Sequence, residues 1–144
     1  VQRARRAAAA VGARYPAFAT SMGRVLLASL PEAQLETYFA DFRPVGLTSK
    51  TCTDPCELRE ELERVRRDGY STTIDQLDYG ITALAVPIRD PDGRTIAAVN
   101  TSGYTGMVTP EILIRDRLPD LREAASHIAA EIARYPILKS MLGH

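Results

Sequence analysis

The feature that most constrains the fold is a pair of strand-like segments, residues 81–89 and 94–102, joined by Asp90-Pro91-Asp92-Gly93. Proline fixes φ at the second position of a turn, and glycine accepts the positive φ that a tight connection often requires. Apolar and β-branched residues on both sides of such a turn are typical of a hairpin. We therefore predict a long β-hairpin at the centre of an antiparallel sheet.

Helix signals precede the hairpin. Thr20 or Ser21 can cap a short helix that begins at Ser21, and Pro31 suits the start of a second helix. The clearest start is Asp54-Pro55-Cys56-Glu57, where the aspartate can cap, the proline fits the first helical position and the glutamate can reach back to the cap amide. Gly69 is expected to end this third helix.

The rest of the chain supplies two further strands and one long helix. Residues 70–74 alternate as a strand, and residues 1–11 suit a strand at a sheet edge. Thr109-Pro110-Glu111 begins a helix that Pro119 is expected to kink or split. Its apolar stripe has helical spacing and consists of Leu118, Leu121, Ala125, Ile128 and Ile132.

This order of elements predicts the fold class. Parallel sheets need a crossover after nearly every strand, whereas here the helices come in groups. We predict an α+β domain with a central antiparallel sheet flanked by helices, and 144 residues suit one domain over residues 1–144.

Composition argues against several classes of function. The 18 basic and 18 acidic residues cancel, so no whole-molecule field would hold nucleic acid, and the arginines near the start are interpreted as a solvated edge. No apolar run reaches the roughly 20 residues of a membrane span, and no signal peptide is visible, which predicts a cytoplasmic protein without membrane contact. The first residue is Val1, and we expect a longer protein with a domain before it.

Metal, cofactor and catalytic signals are weak. Cys52 and Cys56 form a C-x-x-x-C pattern without a neighbouring histidine, which is no metal spacing, so we expect two reduced thiols, no metal and no cofactor. His127 is expected on a helix surface. One catalytic alternative stays open, namely a small α+β hydrolase or isomerase with Asp75 or Asp78 as the base and Ser21 as its partner.

The hairpin also predicts a pocket. If Arg89 pairs with Arg94, then Ala83 lies opposite Asn100 and Ile81 lies opposite Ser102, on one face with Ala85 and Ala98. Small residues would leave a hollow there, in which Asn100 would be a buried amide seeking a ligand partner. The alternative is that a helix fills the hollow. The opposite face, with Leu84, Val86, Ile88 and Val99, is expected to be ordinary core.

Four blocks carry a resemblance to a known family. They are residues 12–28 (GARYPAFATSMGRVLLA), residues 85–94 (AVPIRDPDGR), residues 97–102 (AAVNTS) and residues 118–122 (LPDLR). In this order they resemble the effector-binding domain of IclR-family transcription regulators, and most of all the branch that controls aromatic catabolism through the β-ketoadipate pathway. The resemblance implies a GAF-like domain that cups a small organic acid or aromatic effector.

The resemblance also implies partners and site residues. Family members carry a winged helix-turn-helix before this domain, bind operators as dimers or tetramers, and are not enzymes, so DNA contact is expected only through a part absent from this chain. Thr82 stands where the family often has arginine, which removes a charge expected near the pocket rim. A structural dimerisation module with a filled pocket is the remaining alternative. The effector residues that the resemblance implies are Ser21, Met22, Gly23, Asp75, Ala83, Asn100 and Ser102.

Overall fold

Eight helices and strands, together with one 3₁₀ turn, form the part of the chain that the computed structural model describes, residues 10–142. Of the edge strand predicted for residues 1–11, only the last two positions fall within this part, and they are not in a strand. The elements follow in the order 3₁₀ turn Ala17–Ala19, α1 Ser21–Ala28, α2 Glu32–Ala40, α3 Pro55–Asp68, β1 Ser71–Ile74, β2 Ile81–Arg89, β3 Thr95–Tyr104, α4 Pro110–Arg134 and α5 Pro136–Leu142.

The predicted helix caps are confirmed. The hydroxyl of Thr20 accepts a hydrogen bond of 3.0 Å from the Gly23 amide at the start of α1. Asp54 Oδ1 accepts hydrogen bonds from the amides of Cys56 (2.7 Å) and Glu57 (3.0 Å) at the start of α3. Gly69 ends α3 with φ at 73°, a left-handed conformation that residues with a Cβ adopt only with strain. Local sequence therefore determines where these helices begin and end.

The three strands form one antiparallel sheet in the order β1-β2-β3, which confirms the predicted fold class. The predicted hairpin is present, but the predicted register is wrong. Ala83 pairs with Ser102, and Ala85 pairs with Asn100. The pairing differs from the predicted register by two residues. One residue of this shift arises at the turn, where Arg89 pairs with Thr95 instead of Arg94, and the other arises from an irregularity between Ile88 and Arg89. Because two is a full side-chain period, each residue still faces the predicted side of the sheet.

Two hydrophobic cores lie on the two faces of the sheet. On one face α1 and α3 pack against Ala85 and Ala98, and fully buried Leu58 and Leu62 from α3 fill the centre of this core. On the other face α4 covers Leu84 and its neighbours on β2. The expectation of an ordinary core behind the hairpin is thus confirmed.

Helix α4 differs from the prediction at two points. It runs without a break through Pro119, so the expected split is wrong. Proline removes one backbone hydrogen bond, but Leu118 and Leu121 on either side are both buried against the sheet and hold the helix in place. Ile128 is exposed rather than part of the stripe, which continues through Ala129 and Ile132 instead. Among the described helices, none has the length and apolar character needed to cross a membrane.

Candidate ligand-binding site

Two rows of side chains cross the sheet on the face that α1 covers. The strand pairings place Thr73, Ala83 and Ser102 in one row, and Ser71, Ala85 and Asn100 in the next. The structure therefore brings three of the predicted site residues, Ala83, Asn100 and Ser102, onto one face of small residues. Their proximity was predicted from the hairpin, although the partners within each row were not.

Helix α1 lies directly over this face. Near its start Arg24 bonds to Gln76, just after β1, and at its end the Ser29 hydroxyl lies 2.9 Å from the Thr95 hydroxyl at the hairpin end of β3. Val25 of α1 packs in the same core as Ala85, which is fully buried. The centre of the predicted hollow is thus filled by α1.

Asn100 and Ser102 lie at the margin of the covered area. Both are exposed, which corrects the expectation that Asn100 is a buried amide. The reason is tertiary, because β3 is an outer strand of the described sheet and no further strand shields it there. Ala83, on the central strand, is buried.

The first turn of α1 contributes three predicted residues. Ser21 is buried, and Met22 is half-buried against the α1-side core. A Cβ on Gly23 would lie 2.6 Å from the carbonyl carbon of Ala17 and closer still to its oxygen and Cα. Gly23 thus lets the 3₁₀ turn lie against α1, which is a packing role and one that places Ser21 and Met22.

Asp75 stabilises the connection between β1 and β2 through hydrogen bonds of its side chain. It adopts φ of 52°, and its Oδ1 accepts hydrogen bonds from the Gly80 amide (2.8 Å) and the Thr105 hydroxyl (2.7 Å). The Thr105 hydroxyl lies 3.0 Å from that of Thr82, which is fully buried. Thr82 precedes Ala83 on β2, and neighbouring side chains of a strand point to opposite faces. Because Ala83 is on the α1 face, Thr82 points to the α4 face. The Asp75 carboxylate is therefore directed away from Ala83, and Thr82 does not border the predicted pocket.

The proposed catalytic pair is not formed. Asp75 Oδ1 is occupied as described, and Asp78 Oδ1 accepts from the amide of its neighbour Tyr79. Within residues 10–142 no hydrogen bond joins Ser21 to either aspartate. The same residues contain no group of three His, Cys, Asp or Glu side chains placed to hold a metal, and both cysteines are free.

A polar network that sequence analysis missed adjoins the start of α1. Gln76 Oε1 accepts hydrogen bonds from Arg24 Nη2 (2.9 Å) and from the Cys52 amide (2.7 Å). The Thr51 hydroxyl donates to the Gln76 carbonyl at 2.7 Å, and the Thr48 hydroxyl donates to the Asp75 carbonyl. These contacts fasten the segment before α3 onto the β1–β2 connection. Sequence spacing could not reveal the network, because Arg24 and Gln76 are 52 positions apart.

Arg24 itself is unusually placed. It is 3% exposed, and its Nε donates to the Phe18 carbonyl at 2.8 Å. Burial lowers the pKa of its guanidinium, while the charges of Glu61 and Cys52 partly oppose that shift. Glu61 pairs instead with Arg64 at 2.9 Å, and in the described structure no carboxylate lies within ion-pair distance of Arg24. A cation is therefore desolvated without a contacting anion, a costly arrangement unless a ligand completes it.

The cavities on the described surface include the following three. One of about 350 Å³ runs along the edge of β1 beside Arg24, Ser71, Thr73 and Gln76. A larger one of about 1020 Å³ lies between the end of α1, the hairpin turn and α5, and a third of about 430 Å³ lies between β2 and α4. None of these three is lined by any of the seven predicted site residues. Arg24, Ser71 and Thr73 line the first cavity from the α1 face, and Thr72 and Glu111 line it from the α4 face.

These features define a class: a small α+β domain with a cavity of ligand size beside the helix that covers its sheet. The chain belongs to the family described as bacterial transcriptional regulator IclR C-terminal, whose model matches residues 1–130. It is 36% identical over 122 residues to the Pca regulon regulatory protein of Pseudomonas putida, covering 85% of this chain. The chain spans only 42% of the length of that relative.

Solved structures agree with this assignment. A transcriptional regulator from Rhodococcus matches with a TM-score of 0.85 and 39% identity, over 88% of this chain and 52% of the other. A double mutant of the PobR inducer-binding domain from Acinetobacter, in complex with 3-hydroxybenzoic acid, matches with a TM-score of 0.77 and 36% identity, over 82% and 67%. The chain is thus the effector-binding domain of a transcriptional regulator and not an enzyme, and the hydrolase alternative is not supported.

Proposed function

We propose that this domain binds a small organic acid or aromatic metabolite and thereby controls operator binding by the full-length regulator. The observation that carries the proposal is the likeness to the PobR inducer-binding domain, which was solved with 3-hydroxybenzoic acid. The buried guanidinium of Arg24, which no carboxylate contacts, lies beside a cavity and adds support, since an acidic ligand could form an ion pair with it there.

We place the effector at the end of the sheet where α1 begins. Ser21 and Met22 belong to the first turn of α1, and Ala83, Asn100 and Ser102 belong to the face beneath it. Gly23 and Asp75 contribute by fixing the backbone, the first through close packing and the second through its hydrogen bonds to the β1–β2 connection. The seven residues thus divide into five that can contact a ligand and two that shape the site.

The proposal is tested by thermal unfolding and calorimetric titration with 3-hydroxybenzoate and benzoate. A ligand at 100 times its dissociation constant adds about 2.7 kcal/mol of stability, an easily measured rise in the unfolding temperature. Ala83→Leu fills space on the α1 face, and Asn100→Leu removes a polar contact. Each is expected to weaken binding by about 1 kcal/mol or more, roughly fivefold.

Thr101→Val is the matched control, because Thr101 pairs with Leu84 on the α4 face and bonds to Arg117 instead. It should leave affinity unchanged. Flat unfolding temperatures with both acids would contradict the proposed ligand class. Binding by the wild type that neither Ala83→Leu nor Asn100→Leu alters would contradict the proposed place.

We assign DNA binding to the remainder of a longer, cytoplasmic regulator. This chain spans less than half the length of the Pca regulon relative, and it has no net charge that would attract DNA. In such a regulator the effector must favour one arrangement of subunits over another. Coupling between two such sites typically amounts to about 1–3 kcal/mol.

We further propose that the domain assembles into a homodimer or homotetramer. Apolar side chains remain exposed on α5, where Ile137 and Met141 are 70% and 73% exposed, and the long α4 offers an adjoining surface. Sedimentation equilibrium is expected to give masses that are multiples of 15.8 kDa. Ile137→Glu should shift the equilibrium toward the monomer. A monomer that persists at tens of micromolar would refute the assembly.

A further inference from the structure

Strand β1 presents two hydroxyl groups toward the same cavity. Ser71 and Thr73 are two positions apart, so both side chains point to the α1 face. Ser71 is 2% exposed, and its Oγ has no hydrogen-bond partner among the described residues. Thr73 is likewise buried, and no side-chain hydrogen bond involves it in that part of the chain. Native proteins seldom leave a buried hydroxyl such as that of Ser71 unpaired, so this group calls for a partner, such as a water, an ion or a ligand.

Arg24 lines the same cavity from the opposite side. Its Nε and Nη2 are engaged by Phe18 and Gln76, which fix the plane of the guanidinium. Nη1 makes no hydrogen bond within residues 10–142. The cavity is thus bordered by one oriented cation, by the unpaired buried hydroxyl of Ser71 and by the hydroxyl of Thr73, all on side chains that are more than nine-tenths buried.

We infer that this cavity at the edge of β1 holds the carboxylate of the effector, with Arg24, Ser71 and Thr73 as its hydrogen-bond donors. The inference rests on the proposed function and extends the proposed site across the sheet from Ala83, which pairs directly with Thr73. Hydroxyls two positions apart on a strand lie about 6.6 Å from each other, a separation that allows one to donate to each carboxylate oxygen.

The mouth of the cavity limits which acids can enter. Glu61, Asp68 and Glu111 line it, and only Glu61 is paired with a lining arginine, Arg64. This acidic rim disfavours ions of higher charge, such as phosphate, and accepts hydroxyl or amino donors from the outer end of a ligand. The ligand class is therefore a compact monocarboxylate that carries a hydrogen-bond donor away from its carboxylate.

The test compares 3-hydroxybenzoate with its uncharged analogue 3-hydroxybenzamide, by calorimetric titration of the chain and of three variants. Ser71→Ala and Thr73→Val remove one hydroxyl each with little change in shape. We expect each to lower affinity for the acid at least fivefold, and to change affinity for the amide much less. Ser71→Ala should also leave the ligand-free protein as stable as the parent or more so, because it removes an unpaired buried hydroxyl.

Thr101→Val is the matched control, since Thr101 lies on the α4 face of β3 and does not line the cavity. It should not alter affinity for the acid. Equal losses in Thr101→Val, or undiminished binding of the acid in both Ser71→Ala and Thr73→Val, would overturn the inference while leaving the proposed function intact.

Two further outcomes complete the test. Inorganic phosphate that competes with 3-hydroxybenzoate as strongly as benzoate does would indicate a general anion site and overturn the carboxylate assignment. Failure of the wild type to bind any aromatic acid would overturn this inference together with the proposed function. This outcome differs from failure of the inference alone, in which the wild type binds the acid and only the variants fail to behave as expected.

Discussion

Gly23→Ala is expected to destabilise the domain by about 3 kcal/mol or more, at the upper end of what overpacking costs. The new methyl group would overlap backbone atoms of Ala17, and backbone cannot move aside as the end of a flexible side chain can. Either α1 must shift off the sheet or the 3₁₀ turn must leave it. Both carry residues of the α1-side core, including fully buried Ala19.

Urea unfolding followed by circular dichroism measures this loss directly. Gly106→Ala is the control, because a Cβ there meets nothing within 4 Å and the residue does not have positive φ. It should change stability by less than about 0.5 kcal/mol, as surface substitutions usually do. Equal stabilities for the two variants would mean that the turn does not contact α1 as described.

Leu84→Ala is expected to cost about 2–5 kcal/mol, the range for removing a fully buried leucine side chain. Leu84 is 0% exposed at the centre of β2, and it packs with Leu113 and Leu118 of α4. The surrounding sheet and helix can close only part of the cavity that the substitution leaves. The free energy of unfolding should fall while its dependence on urea concentration stays the same.

The control for this variant is Leu26→Ala, at a position on α1 that is 42% exposed. It should cost less than about 1 kcal/mol, since little apolar surface is withdrawn from water there. Leu84→Ala should also bind 3-hydroxybenzoate with the affinity of the parent, because its side chain faces α4 and the proposed site lies on the opposite face. If Leu84→Ala is fully folded and yet does not bind 3-hydroxybenzoate, the assignment of the ligand site to the α1 face would be contradicted.

Local chemistry made several elements predictable from sequence. Asp54 ahead of a proline begins α3, Gly69 ends it, and Asp90-Pro91-Asp92-Gly93 turns the hairpin. Each of these signals acts within a few residues, through a cap hydrogen bond, a fixed φ or a tolerated positive φ. The alternation of side chains along β2 and β3 also predicted which residues share a face.

The site depended on contacts that no local signal encodes. The strand register followed from an irregularity near Arg89, and the filling of the hollow followed from the path of α1 across the sheet. Asp75 was identified as a ligand residue, whereas its Oδ1 is engaged by Gly80 and Thr105. Such outcomes are set by which surfaces pack together, and small displacements decide which polar groups meet.

The sequence by itself thus determined the elements, the sides of the sheet and, through the resemblance, the family. Only the tertiary structure decided that Arg24 is buried without a contacting carboxylate and that the hydroxyl of Ser71 is buried without a partner. Whether a polar group is satisfied depends on atoms from distant parts of the chain, here α1, α3 and β1 around one cavity. Hydrogen-bond balance in a folded interior is a property of packing, and it cannot be read from spacing along the chain.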